Sequence, residues 1–339
     1  MKTLTVSLIT LLVFTSCHST KKWREFNSKK IAIAENTESY NFIKFDNKKN
    51  LYLGGLFYKE TEDHKAFCLL YKSKDYGRKW SKLEVDSRPG EIQDIAFNKT
   101  SIVVVQKPLF YDRGSILLSK DGGKSWTSVY SYQNEYIIES ISIDSSNTIY
   151  FITTSENRIK KLTKISATKV DTINFPADIK HLFFSKKEFI GITNSLKKSE
   201  LIKYDLNANE ISRKKLDLDK VYRDSKQNYN GDIVLYNMAS LDNRFQIIRN
   251  DTNTLFDLRK FEDFIIFEPF IEDSLIIINS TYDPEHYFLG SPHIFLVSED
   301  FGKTWKEEKI PSPSITRPAT LKSKRFIAKA GRLSFQERR

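Results

Sequence analysis

The chain has 339 residues, a formal net charge of +11, 40% hydrophobic residues, 12 Gly and 2 Cys. That length and apolar content support a packed domain and exclude a disordered chain, and two cysteines exclude a disulfide framework. The positive balance comes without a basic helix, an aromatic-basic RNA motif or a long Lys/Arg block, which excludes nucleic acid as the partner.

Met1-Lys2 is followed by an apolar run from Leu4 to Phe14 and then by Thr15-Ser16-Cys17. The run is too short to span a bilayer and has the layout of a secretory signal. Phe14-Thr-Ser-Cys17 resembles a lipobox, in which small residues precede a Cys that becomes lipidated, as in bacterial lipoproteins. The expected division is residues 1–16 as signal, 17–29 as a tether lipidated at Cys17, and 30–339 as one domain. With Cys17 modified, Cys68 in the apolar Ala-Phe-Cys-Leu-Leu-Tyr has no disulfide partner and is expected to be an inert buried thiol. Cys17-His-Ser-Thr-Lys-Lys lacks the acidic run that resembles a surface-export signal in some lipoproteins, so a periplasm-facing, lipid-anchored envelope protein is expected.

Beyond the tether, short apolar runs alternate with turns rich in Asp, Asn, Ser and Lys, and almost no helix is expected. Lys30-Ile-Ala-Ile-Ala-Glu35 reads as one strand. Six four-stranded units follow at about Tyr40–Val85, Glu91–Tyr130, Tyr136–Ile173, Asp178–Leu216, Val221–Leu258 and Asp263–Ile310. The last stretch has three strands only: Ile315–Leu321, Phe326–Ala330 and Arg332–Phe335. Second-strand starts recur about every 46 residues, and a period in the forties built from four short strands is a propeller blade. The reading is an all-β propeller of seven four-stranded blades, with six as the alternative. An open seam would expose long strand edges, so Lys30–Glu35 is expected to complete the last blade.

One eight-residue pattern punctuates the units. Ser73-Lys-Asp75-Tyr-Gly77-Arg-Lys-Trp80, Ser119-Lys-Asp121-Gly-Gly123-Lys-Ser-Trp126 and Ser298-Glu-Asp300-Phe-Gly302-Lys-Thr-Trp305 all read S-x-D-x-G-x-x-W. Chance coincidence is on the order of once in a hundred thousand positions or fewer, so three copies mean duplication. The Asp carboxylate suits turn N–H groups, the Gly a positive φ, the Ser hydroxyl a brace, and the Trp packing between sheets. The pattern resembles the Asp-box (bacterial neuraminidase, BNR) repeat of sialidase-like and related β-propellers. Asn250-Asp251-Thr-Asn-Thr-Leu-Phe256 looks like a decayed copy. In that family the boxes build the fold and lie away from the binding face.

Function is therefore sought in the loops on the other face, between second and third strands. Tyr58–Lys65, Lys107–Gly114 and Ser280–Ser291 are the longest. They carry binding candidates Glu60, His64, Tyr111, Arg113, His286 and Tyr287, joined by Arg158 and Arg244 near other mouth loops. If the protein is an enzyme, Asp63, Asp112, Asp283, Glu285 and Tyr282 are the catalytic candidates. Sialidases carry an early Arg-Ile-Pro segment and a recognised Tyr/Glu nucleophile pair, and neither pattern occurs here. No metal spacing and no cofactor fingerprint is found. The expectation is a non-catalytic envelope module that binds a protein partner or glycan through its mouth, taken to be a monomer and attached to the membrane through its lipid. A sialidase-like glycoside hydrolase and a purely structural module are the alternatives.

Overall fold

The computed structural model describes residues 23–30, 38–58, 66–85, 89–109, 113–133, 137–154, 158–185, 188–194, 199–218, 220–228, 231–237, 243–261, 264–282, 293–309, 317–321, 324–329 and 332–338. Every regular element among them is a strand. After β1 (Trp23–Lys30), blade one consists of β2 (Glu38–Phe45), β3 (Leu51–Tyr58), β4 (Ala66–Ser73) and β5 (Ser81–Lys82). Blade two is β6 (Glu91–Phe97), β7 (Ile102–Lys107), β8 (Arg113–Ser119) and β9 (Thr127–Gln133). Blade three is β10 (Ile137–Ile143), β11 (Ile149–Thr154), β12 (Lys160–Ile165) and β13 (Val170–Asn174). Blade four is β14 (Ile179–Ser185), β15 (Glu188–Thr193), β16 (Ser199–Tyr204) and β17 (Glu210–Leu216). Blade five is β18 (Asp224–Gln227), β19 (Ile233–Tyr236), β20 (Arg244–Arg249) and β21 (Thr252–Asp257). Blade six is β22 (Phe264–Glu272), β23 (Leu275–Tyr282), β24 (His293–Ser298) and β25 (Lys306–Lys309). The last strands are β26 (Arg317–Leu321), β27 (Lys324–Lys329) and β28 (Arg332–Arg338).

The fold is an all-β propeller with four-stranded blades. Six blades are antiparallel meanders of consecutive strands, and a further four-stranded sheet is composite, in the order β1-β28-β27-β26. First strands of neighbouring sheets lie against one another: β2 against β6, β6 against β10, β10 against β14, β22 against β26, and β26 against β2. First strands therefore border the axis, and fourth strands form the rim. The strand closing the composite sheet is Trp23–Lys30, with Phe26 opposite Phe335 and Lys30 opposite Arg332. This corrects the expected Lys30–Glu35, of which only Lys30 belongs to the strand and residues 31–35 lie outside those described. An outermost strand is held by ladder hydrogen bonds along one edge and needs little apolar surface, so the polar Trp-Arg-Glu-Phe-Asn-Ser-Lys-Lys serves.

Cores lie between blades, because second and third strands are apolar on both faces. Phe42, Tyr52 and Leu70 of blade one meet Ile95, Val104 and Leu117 of blade two. Val234, Phe245 and Phe256 of blade five meet Ile276, Ile278 and Leu296 of blade six. Cys68 is buried and is in no disulfide among the described residues.

Antiparallel meanders put all first-to-second and third-to-fourth turns at one end of the sheets, the box face. The second-to-third loops and blade linkers lie at the other end, the mouth. In each box the Ser hydroxyl donates to the Asp carboxylate at 2.8–2.9 Å and accepts from the Gly N–H at 2.7–2.8 Å. The residue before each box Gly is also left-handed: Tyr76 at φ 59°, Gly122 at 77° and Phe301 at 55°. Trp80 and Trp305 donate their indole N–H to Gly77 and Gly302 carbonyls at 3.0 Å. Trp126 makes no such bond, its Nε1 being buried without a partner. The supposed decayed box is something else. Asn250 and Asp251 have φ of 49° and 60° and join Arg249 to its cross-strand partner Thr252 as a two-residue turn, the twist that suits a tight hairpin. Asp251 reaches Lys203 of blade four at 2.9 Å.

Candidate functional site at the mouth

The mouth is organised by an irregularity repeated in the inner strands. Pairing with the second strand slips between Tyr40 and Phe42, Ile92 and Asp94, Ile138 and Ser140, Ile179 and His181, and Ile266 and Pro269. Each slip is a β-bulge, where an extra residue re-aims a side chain and a strand tolerates Pro. The residues so presented are Asn41, Gln93, Glu139 and Lys180, together with Phe267 and Glu268 in blade six.

These groups tie blades together. Asn41 donates to Glu91 Oε2 at 3.0 Å and to the Ile92 carbonyl at 3.1 Å, and Gln93 donates to the Ile138 carbonyl at 3.3 Å. Lys44 pairs with Asp94 at 2.5 Å, and Lys226 of blade five pairs with Glu268 of blade six. Within blade three, buried Lys160 pairs with Glu139 and contacts Thr154 at 3.0 Å. Lys107 stands 3.9 Å from Glu91. Glu91, Asp94, Glu139 and Glu268 are thus each countered by a cation, and none of these contacts sets one carboxylate against another.

His181, on β14, is buried at the junction of blades four and five. Its Nδ1 lies 2.7 Å from Ser225 Oγ and its Nε2 lies 3.0 Å from Asn194 Nδ2. Asn194 also donates to the Tyr222 carbonyl and accepts from the Tyr222 N–H at 3.2 Å, bonding both backbone groups as a neighbouring strand does. Burial first, and then the Lys160 ammonium, push the imidazole pKa down to about 4, against a hydrogen bond to the Tyr222 backbone. The ring is neutral at ordinary pH.

A phenol–carboxylate set occurs in blade one. Tyr40 donates to Glu38 at 2.6 Å and Tyr71 donates to it at 2.9 Å. Glu38 is buried, and burial followed by Glu38 itself pushes both phenol pKa values far above the usual range. The phenols are held protonated, the opposite of an activated nucleophile. The acid raised furthest, Glu272, rises to about 7 through burial and then Asp273. It stands beside the turn on the box face, at the far end from the mouth.

Of the residues singled out from sequence, Arg113 is exposed at the start of β8, and Arg158 is exposed just before β12 with φ of 59°. Arg244 opens β20 opposite Asp257. They stand on blades two, three and five and not on one arc. Tyr282 is the last residue of β23. Glu60, Asp63, His64, Tyr111, Asp112, Asp283, Glu285, His286 and Tyr287 lie outside the described residues. Among the described residues, no group of three or more His, Cys, Asp or Glu side chains could hold a metal. The bulge network escaped the sequence reading, although a signal exists: Ile92-Gln-Asp-Ile95, Ile138-Glu-Ser-Ile141 and Phe267-Glu-Pro-Phe270 each place two residues where strand alternation allows one.

The family model for the BNR-Asp box repeat matches residues 295–308, which contain the third box. No curated protein matches the sequence. Among solved structures, YCF48 bound to D1 peptide is similar over 92% of this chain and 94% of its own, with 13% identity and a TM-score of 0.59. YCF48 from Cyanidioschyzon merolae matches over 93% and 98%, with 13% identity and a TM-score of 0.58. Virginiamycin B lyase from Staphylococcus aureus, solved with quinupristin, matches over 93% and 99%, with 10% identity and a TM-score of 0.57. These likenesses are in fold and span proteins of different function.

Proposed function

We propose that the protein is a non-catalytic binding module, a ring of seven blades with the composite sheet as the seventh, which holds an extended protein segment at its mouth. The observation that carries this reading is the state of the ionisable groups around the inner strands. General acid–base work needs a carboxyl or imidazole poised near neutral pH, and glycoside hydrolysis needs two carboxylates facing one substrate. Here Glu91, Asp94, Glu139 and Glu268 are each countered by Lys, and His181 is locked neutral between Asn194 and Ser225. The network rigidifies the wall of the mouth, which suits a surface that binds.

The use of a propeller to hold a peptide has a precedent in YCF48 bound to D1 peptide; for this chain it is a reading taken from shared fold alone. Anchorage through a lipidated Cys17, with the ring facing the periplasm, belongs to the same proposal and rests on Phe14-Thr-Ser-Cys17. Photo-crosslinking tests the mouth. A benzoyl-phenylalanine at Arg113 or Arg158 should trap a discrete protein partner, whereas the same group at Ile211 on the rim should not. Equal trapping at all three positions, or turnover of aryl glycosides by the purified chain, overturns the reading.

A further inference from the structure

The box face is not electrically uniform. In blade one, Lys48 and Lys49 stand exposed in the first turn, and Lys74, Arg78 and Lys79 stand exposed in the box. Lys120 and Lys124 do the same in the box of blade two. The carboxylates among them are engaged within their own turns: Asp46 accepts from the Lys48 and Asn50 N–H groups, Asp75 from Ser73 and the Lys79 N–H, and Asp121, itself exposed, from Ser119 and Ser125. The two blades share this field, because Lys72 reaches the Gly122 carbonyl at 3.5 Å across the junction. Its ammonium pKa is lowered, first by burial and then, against Asp46, by Lys74 and Lys48. Blades five and six differ in degree: Arg249 is matched with Asp232 and Lys306 with Glu299, Asp251 takes Lys203 of blade four, and Lys303 stands exposed in the box of blade six.

The composite sheet adjoins blade one, and its register fixes which way the chain enters the ring. Trp23 pairs with Arg338, while Lys324, which follows the first turn of that sheet, pairs with Glu337. Trp23, Lys324 and Arg338 therefore lie at the box-face end, and β1 runs from there toward the mouth. The two ends of the sheet stand where other blades carry a third-to-fourth turn. The chain thus enters the ring at the face of the exposed lysines, and the sequence before Trp23 carries the apolar run, Cys17 and Lys21-Lys22.

We propose that the box face of blades one and two and the adjoining composite sheet is a docking surface for anionic lipid head groups, which lays the ring on the membrane with its mouth turned away. The inference rests on the anchored reading only for which face the chain's start brings to the bilayer. Each Lys or Arg near an anionic surface strengthens binding about fivefold, an effect that fades beyond a Debye length of about 8 Å. The test uses the mature chain, residues 17–339, carrying Cys17→Ser, so that neither lipid nor signal is attached, and vesicles of phosphatidylcholine with or without phosphatidylglycerol. Anionic lipid should strengthen binding, and added salt should reverse the gain. Lys74→Glu with Arg78→Glu and Lys79→Glu should weaken binding by at least about tenfold. The same charge change at Lys180, Lys214 and Lys215 of blade four should leave it within about twofold. No gain from phosphatidylglycerol, or equal losses in the two triple variants, overturns the proposal. Binding to heparin without binding to anionic vesicles also overturns it, in favour of an acidic glycan. An unmodified Cys17 in cells defeats the anchored reading alone, since the vesicle assay contains no anchor.

Discussion

Acid should loosen the junction of blades four and five through one residue. His181 is buried between Asn194 Nδ2 and Ser225 Oγ, with the Lys160–Glu139 pair of blade three and the Tyr222 backbone as its other polar surroundings. A second ring proton would confront the Asn194 amide donor and the Lys160 charge in a dry setting. The folded pKa is about 4, against an ordinary 6.5. A depressed imidazole pKa means that the stabilisation is complete above the unfolded value, declines as the unfolded chain takes up its proton, and is lost by the time pH reaches the folded value. The window is thus about pH 6.5 to 4, and at about 1.4 kcal/mol per unit the loss approaches roughly 3 kcal/mol. Urea titrations across that window on the parent and on His181→Gln measure it. The variant starts weaker, because it forfeits the hydrogen bonds, but the gap between the two should narrow by roughly 3 kcal/mol on acidification. Parallel curves would refute the reasoning.

Gly302→Ala should cost about 3 kcal/mol or more, because φ is +81° and the new Cβ would stand 2.3 Å from Phe256 Cε1. Gly122→Ala, at φ of +77° with the Lys72 ammonium 3.8 Å from the new Cβ, should cost only about 1 to 2 kcal/mol, and thermal melts of the pair separate contact from backbone strain. Glu272, with its carboxyl raised to about 7, favours folding below the unfolded carboxylate value and loses that contribution as pH rises through 7. Glu272→Gln should therefore gain on the parent by about 1 kcal/mol at alkaline pH, after allowance for its partial exposure, and an unchanged difference across pH would count against the assignment. Mass spectrometry of membrane-extracted protein should find a diacylglyceryl group on Cys17, and a mature chain beginning elsewhere would remove the anchor.

The boxes were legible because each is a local device. Ser, Asp and Gly close their bonds within each box, joined by the indole in two of the three, so pattern and geometry coincide. Blade spacing was legible for a related reason, since each meander pairs only consecutive strands. The closing strand was misplaced because Lys30-Ile-Ala-Ile-Ala-Glu35 has the alternation of a half-buried strand, whereas the rim selects for edge pairing and accepts Trp23–Lys30. The inner-strand network was not legible. Asn41 with Glu91, Lys44 with Asp94 and Lys226 with Glu268 are 42 to 50 residues apart, and only the ring brings such pairs together. The loop acids and histidines stood out as polar residues in long loops, a property that exposure alone accounts for.

The most direct measurement of the central claim, that Trp23–Lys30 closes the ring and carries the start of the chain onto the box face, is a disulfide trap. Directly opposed residues of an antiparallel pair have Cα atoms about 4.5 to 5.5 Å apart, within disulfide reach. In a Cys17→Ser background, Phe26→Cys with Phe335→Cys should therefore form an intramolecular bond under mild oxidation, seen as faster migration on a non-reducing gel. Ile33→Cys with Phe335→Cys should not. Closure of the second pair in place of the first would put the strand at Lys30–Glu35 and contradict the account.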